Sequence, residues 1–298
     1  MKFKKLDLED KTVLDKYIYP YKFLSCEYSF TSLYIWKDAC DIQYTIYKDA
    51  LIIKKKDFDG NYHFMQPLGY KKSDLSEIID MLKAYRKENE MKYLFKDLEE
   101  SFIKELNAIL KEKNEFYIVE DRDNFDYLYE AKKLMTLSGK KLHAKKNHYN
   151  SFTKNYDYEV VEIKGNKVIE DVCIAAEKWY ADTEDKDCKL YYELLSIKNI
   201  VKNMELLNLN GVAVYVNGNI SAFGIGECLN DSLTVIHIEK GDKNINGIYS
   251  FIAKTLIDRC FNNTEIINRE QDLGIEGLRK SKMSYNPFKL EKKFILNF

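Results

Sequence analysis

Residues 211–240 read GVAVYVNGNISAFGIGECLNDSLTVIHIEK, and the order of turns and apolar alternation in this stretch decides the fold. Val212, Val214 and Val216 alternate with other residues, Asn217-Gly218 is a strong two-residue hairpin signal, and apolar runs follow at 220–227 and 233–240. The stretch predicts an antiparallel meander of three strands. Upstream, the pattern gives a strand at 158–163 and helices at 168–179 and 193–207. Downstream come a helix at 247–260 with Ile248, Ile252 and Leu256 in register, a strand at 265–268, a short helix near 274–282 and a last strand at 289–296.

The first half of the chain repeats this order. A short strand at 2–6 leads into helical patterning at Val13, Leu14, Tyr17 and Ile18 and a second helix at 30–36. Ile42, Tyr44 and Ile46 alternate, 51–55 continues after Lys48-Asp49, and Asp59-Gly60 turns the chain into 62–65. Ser73 opens an amphipathic helix with Leu75, Ile78, Ile79, Leu82 and Tyr85 on one face; strand 93–95, helix 101–110 and strand 116–119 follow. A shared element order is a structural repeat without any need for sequence identity. It predicts an α/β (α+β) chain of two tandem lobes, each a mixed central sheet flanked by helices. The boundaries fall at 1–138, a basic connecting helix at 139–156, and 157–298. The order resembles the GNAT acyltransferase fold.

Composition fits two cores: of 298 residues, 45% are apolar and 14% aromatic. A formal charge of −1 removes any whole-protein argument for a nucleic-acid or membrane partner and leaves only local charge to argue from. Six cysteines without a CxxC read as reduced thiols and not as a metal site. The start, MKFKKLDLED, is no signal peptide, and no apolar run nears the roughly 18 residues that span a bilayer. The sequence therefore reads as cytoplasmic and not integral to a membrane.

Charge is unevenly placed. Between Ala131 and Tyr156 there are seven lysines, two histidines and no acidic residue. On a helical wheel Leu142, Tyr149, Phe152 and Tyr156 share one face, and His143, Asn147, Asn150 and Lys154 share another. Lys145 falls inside the apolar stripe, where its amine either passes the packing surface or points into an interior cleft. The segment is then either a surface helix or a phosphate-binding patch made of Lys140, Lys141, His143, Lys145, Lys146 and Asn147.

Strict alternation along 233–240 puts His237 and Glu239 on the face of Val235, with Ile236 and Ile238 opposite. Glu239 is then either a solvated carboxylate or a general base whose proton affinity desolvation raises. The loop 241–247, with Asn244 and Gly247, precedes a helix whose first amides could hold an anion. It carries only two separated glycines of a pyrophosphate signature. Residues 268–274 fail as an EF-hand loop, because glycine comes one place late and Arg279 stands where the bidentate glutamate belongs. A dense polar cluster remains, followed by Arg279, Lys280, Lys282 and Tyr285.

The segment NREQDLGIEGLRKSKMSYNP (268–287), with SGKKLHAKKNHYNSFTKNY (138–156) and HIEKGDKNINGIY (237–249), resembles the phosphatidylglycerol lysyltransferase C-terminal-domain family. That tandem-GNAT group is related to the Fem aminoacyltransferases. The resemblance spans nearly the whole chain and implies metal-free transfer of an aminoacyl group from aminoacyl-tRNA to an amine or hydroxyl acceptor. On that reading Glu239 takes the nucleophile's proton, with His237 beside it. Lys240, Arg279 or Lys282 offsets charge on the oxyanion or leaving hydroxyl. Asn268, Arg269, Glu270, Asp272 and Tyr285 hold the acceptor, a small molecule, peptide or lipid head group, and the basic helix takes the phosphates of tRNA. The lipid-modifying members carry a transmembrane domain that this sequence lacks, which argues against a lipid acceptor. Two other readings stand beside it: an acyl-CoA-dependent N-acyltransferase, and a non-catalytic GNAT-like binding or regulatory protein.

Overall fold

A computed structural model describes residues 1–110, 116–184 and 186–297. The chain forms two compact units, one of Met1–Phe125 with Glu291–Phe298 and the other of Asp126–Leu290. In chain order the elements are β1 (Lys4–Lys5), α1 (Lys11–Ile18), α2 (Phe30–Trp36), β2 (Gln43–Tyr47), β3 (Ala50–Lys56), β4 (Tyr62–Phe64), α3 (Leu75–Glu88), β5 (Phe95–Leu98), α4 (Glu100–Leu110) and β6 (Tyr117–Glu120). There follow β7 (Asp126–Glu130), α5 (Ala131–Thr136), α6 (His143–Asn155), β8 (Tyr158–Glu162), α7 (Gly165–Ala181), α8 (Cys188–Ile200), β9 (Asn210–Val216), β10 (Asn219–Cys228) and β11 (Leu233–Gly241). The chain ends with α9 (Ile248–Cys260), β12 (Ile266–Asn268), α10 (Glu276–Met283), β13 (Lys289–Glu291) and β14 (Phe294–Asn297).

Each unit is built on a mixed seven-stranded sheet, ordered β1-β2-β3-β4-β5-β14-β6 in the first and β8-β9-β10-β11-β12-β7-β13 in the second. The two orders correspond strand for strand, which is the expected tandem repeat, with one exchange: β14 sits in the first sheet where β7 sits in the second. Three sequence expectations are corrected by this. The strand predicted at 289–296 breaks at Lys292-Lys293 into β13 and β14, which belong to different sheets. Strand β7 was not foreseen, because Tyr127, Leu128 and Tyr129 are all buried and a strand covered on both faces shows no alternation. The compact units divide after Phe125 and Leu290, so the basic helix at 139–156 lies inside the second unit instead of joining two lobes.

In the first unit the predicted face of α3, Leu75, Ile78, Ile79 and Leu82, packs with Phe64, Phe95, Phe102 and Leu296. Beside this core, Lys55 sits 2.6 Å from Glu27 and 2.8 Å from Asp97, and the fully buried Lys293 sits 3.2 Å from Glu27. Burial alone would raise the Asp97 carboxyl, but Lys55, with His63 also adjacent, holds it well below the usual carboxylate range. In the second unit Leu142 and Phe152 pack against Ile248, Phe251, Ile252 and Leu256 of α9, over Val212, Val214 and Ala222 of the sheet. Helices α6 and α9 meet backbone to backbone at Gly247, whose φ is +82° and whose added Cβ would lie 2.2 Å from the His148 carbonyl oxygen.

Candidate functional site

The site is framed by a divergence of two strands in the second unit. Parallel pairing of β11 with β12 covers only Leu233↔Ile266, Thr234↔Ile267 and Val235↔Asn268. Beyond it β11 runs on to Gly241, while the other chain turns off through Glu270 at φ +55°. Side chains from 236–241 and 269–274 occupy the gap.

A β-bulge resets which of them face it. Ile225 pairs with Ile238 but Gly226 pairs with Ile236, leaving His237 as the extra residue on β11. Strict alternation therefore fails here. Ile236 packs in the core with α9, and Glu239 lies opposite Gly224, whose missing Cβ points at Leu256 and Ile252 of α9. Glu239 and Ile236 thus share a face, contrary to the expected grouping of Glu239 with His237 and Val235.

The bulged His237 is not an accessible acid or base. Its ring is fully buried, with Nδ1 2.8 Å from Glu270 Oε1 and Nε2 3.1 Å from Glu227 Oε1. Burial opposes its charge, but the two carboxylates push its pKa up to about 9. It is an imidazolium with both N–H groups donated.

Glu239 is not a lone carboxylate either. Its Oε2 accepts from Arg269 Nε at 2.9 Å and from Arg269 Nη2, and only about an eighth of each side chain is exposed. Burial works against the Arg269 charge, yet Glu239 outweighs it and carries the guanidinium above its ordinary value. The three cations expected to offset charge beside Glu239 are engaged elsewhere. Lys240 pairs with Glu193 of α8 at 2.7 Å. Arg279 forks onto Asp272 through Nε at 3.0 Å and Nη2 at 2.9 Å. Lys282 donates to the carbonyls of Arg269 and of Gln271, the latter at 2.7 Å. Arg269, read from the sequence only as an acceptor contact, is the cation at Glu239.

The expected acceptor-holding residues form a framework. Asn268 is buried, donates to Asp126 Oδ2 at 2.9 Å and accepts the Glu270 amide at 2.6 Å. Asp272 is buried and takes the Tyr127 hydroxyl at 2.5 Å and the Gly274 amide at 2.9 Å. Burial alone would raise its carboxyl, but Arg279, Tyr127 and the Gly274 amide hold it well below the usual range. The Tyr285 ring is buried, with the Arg269 guanidinium 4.5 Å and the Lys145 amine 4.3 Å from its centroid. Asn244 closes a turn onto Asp242 at 2.9 Å and faces solvent.

The basic segment folds as its periodicity predicts. Leu142, Tyr149, Phe152 and Tyr156 belong to the core, while Lys140, Lys141, His143, Lys146 and Asn147 are exposed. Lys140, His143 and Lys146 line an open depression of about 590 Å³ with Leu137, Ser138 and Gly139. Lys141 reaches Asn286 Oδ1 at 2.9 Å. Lys145 is half-buried and lies over Tyr285, so it points inward to the cluster.

Glu227, Tyr127, Tyr129, Asp126 and Glu193 also shape the site, and no local pattern marked them. Each acts through a partner at least ten residues away in sequence. Among the described residues no helix is long and apolar enough to cross a membrane.

Residues 20–297 match the family described as phosphatidylglycerol lysyltransferase, C-terminal. An uncharacterized protein of Mycoplasmoides gallisepticum is 29% identical over 67% of this chain, and the alignment spans 66% of that relative, just under two thirds of its length. A crystal structure of a conserved protein of unknown function from Bacteroides thetaiotaomicron superposes with a TM-score of 0.88 at 31% identity, over 99% of both chains. The structure of L-PGS from Bacillus licheniformis gives 0.65 at 14% identity, covering 98% of this chain and 92% of that one. A tandem GNAT protein from the clavulanic acid biosynthesis pathway gives 0.53 at 6% identity, covering 99% and 97%, so the fold is tandem GNAT-like. Family and fold together support an acyltransferase-like function.

Proposed function

This chain belongs to the phosphatidylglycerol lysyltransferase C-terminal family, and from that premise we propose that it moves an aminoacyl group from aminoacyl-tRNA to an amine or hydroxyl acceptor. The observation that carries the donor is the basic depression of Lys140, His143 and Lys146, on a segment without an acidic residue in a chain of net charge −1. The alternative anion seat, the start of α9, is pressed against the His148 carbonyl at Gly247, which disfavours acyl-CoA.

In the proposed reaction Glu239, oriented by Arg269, accepts a proton from the acceptor's N–H or O–H. The freed lone pair attacks the ester carbonyl; the new acyl bond forms as the acyl C–O bond to the ribose breaks. The proton on Glu239 then passes to the leaving ribose oxygen. Arg269, in place of Lys240, Arg279 or Lys282, is the cation near the developing oxyanion.

The test combines binding and turnover. Purified protein should bind bulk tRNA in a salt-sensitive way, with Lys141/Lys146→Glu weakening it at least about tenfold. Glu239→Gln should retain binding and lose transfer by about 10²–10⁴. Absence of salt-sensitive tRNA binding would remove the donor.

A second reading, a binding module without transfer chemistry, is favoured by one observation: His237, Lys240, Arg279 and Lys282 are all committed to internal partners. Wild-type protein that binds tRNA but shows no transfer in any assay, with Glu239→Gln binding equally well, would select it.

A further inference from the structure

We propose that Lys145, backed by Arg269, seats an internucleotide phosphodiester of the RNA 3′ end beside Tyr285, inward of the exposed basic depression. The inference rests on the aminoacyl-tRNA reading and deepens it by assigning a seat within that site.

Three observations converge. Lys145 is the lysine that the helix period places in the apolar stripe, and among the described residues its amine has neither a carboxylate at salt-bridge distance nor a hydrogen bond; its neighbour is the Tyr285 ring at 4.3 Å. Arg269 lies over the same ring, gives Nε and Nη2 to Glu239, and keeps Nη1 sealed from solvent without an acceptor. The Lys145 amine and the Arg269 guanidinium therefore share one aromatic ring, and of the two only Arg269 has a carboxylate partner, Glu239. Burial, and then repulsion from Arg269, push the Lys145 amine below its ordinary pKa, as expected where a cation lacks its counter-charge. A phosphodiester carries one negative charge at neutral pH and matches that deficit.

RNA is favoured over a lipid head group by continuity. Lys141, one turn before Lys145, reaches Asn286 next to Tyr285, and the depression of Lys140, His143 and Lys146 lies on the same segment. A chain of phosphates engages both regions, whereas a single head-group phosphate leaves the outer cations unused. Since Nη1 is covered, the phosphate meets Lys145 first, and Arg269 supplies fixed charge behind it.

The probes are the dinucleotide CpA and glycerophosphoglycerol, titrated by calorimetry at low salt into wild type and into Lys145→Met, which keeps the apolar stem in place. Saturable CpA binding, weakened about tenfold by Lys145→Met and largely restored by Lys145→Arg, supports the seat. Unchanged CpA affinity in a folded Lys145→Met, or tighter binding of glycerophosphoglycerol than of CpA, overturns it. If bulk tRNA still binds through Lys141 and Lys146 while CpA ignores Lys145, the seat fails and the donor reading stands. If neither RNA binds, both fail.

Discussion

His237 shows how one residue can be legible as a name and not as a role. The sequence put it on β11 beside Glu239, and the bulge then turned it between Glu227 and Glu270. Its folded pKa of about 9 lies above the ordinary 6.5. A raised pKa stabilises fully below the unfolded value, and that contribution is lost as pH rises through the folded one. Urea unfolding should therefore show stability falling by on the order of 3 kcal/mol from pH 6.5 to 9.5. His237→Gln leaves the buried Glu227 and the partly buried Glu270 without the cation between them, so it should cost about 3 kcal/mol at pH 6.5 and flatten the dependence. An equal fall in the variant would remove His237 as its source. Glu239, Asn268 and Asp272 were found from the sequence in the same way, while their partners Arg269, Asp126 and Tyr127 became partners only through the sheet.

At the scale of elements, helices were easier to read than strands. The apolar stripe of α6 needed only a period of 3.6, and its four stripe residues all reach the core. Strand β7 carried no such period, since neighbours cover both of its faces. What α6 packs against was also hidden, and Gly247 is where that packing can be tested. Gly247→Ala adds left-handed strain and a Cβ 2.2 Å from a backbone oxygen, whereas Gly139→Ala, at φ +99° with nothing within 4 Å, adds strain alone. Thermal melts should place Gly139→Ala about 1 kcal/mol and Gly247→Ala at least about 3 kcal/mol below wild type. Similar losses for the two would mean that α6 does not hold its place at α9.

Across the whole molecule, the repeat can be aligned by geometry where sequence identity is lacking. Phe95 pairs with Phe64 and Asn268 with Val235, and two residues on Asp97 and Glu270 both take positive φ, +57° and +55°. Lys96-Asp97-Leu98-Glu99 thus stands where Arg269-Glu270-Gln271-Asp272 stands. Four residues past Phe64 is Leu68, and four past Val235 is Glu239, so the first unit has an apolar residue at the place of the proposed base. The exchanged strands make a further prediction. A chain ending at Glu291 loses β14 and Lys293, which should strip hydrogen-exchange protection from β5 and β6 while β9, β10 and β11 keep theirs. Uniform loss over both sheets would contradict two separately stabilised units.

The sequence by itself determined the repeated order of elements, the apolar faces of α3, α6 and α9, and the basic segment, because period and charge are written in residues close along the chain. Only the tertiary structure decided that β7 and β14 change places, that His237 is sealed between two carboxylates, and that Arg269 rather than Lys240 meets Glu239. Those outcomes depend on which strands pair across more than a hundred residues and on one inserted residue in a ladder, and neither leaves a local period to read.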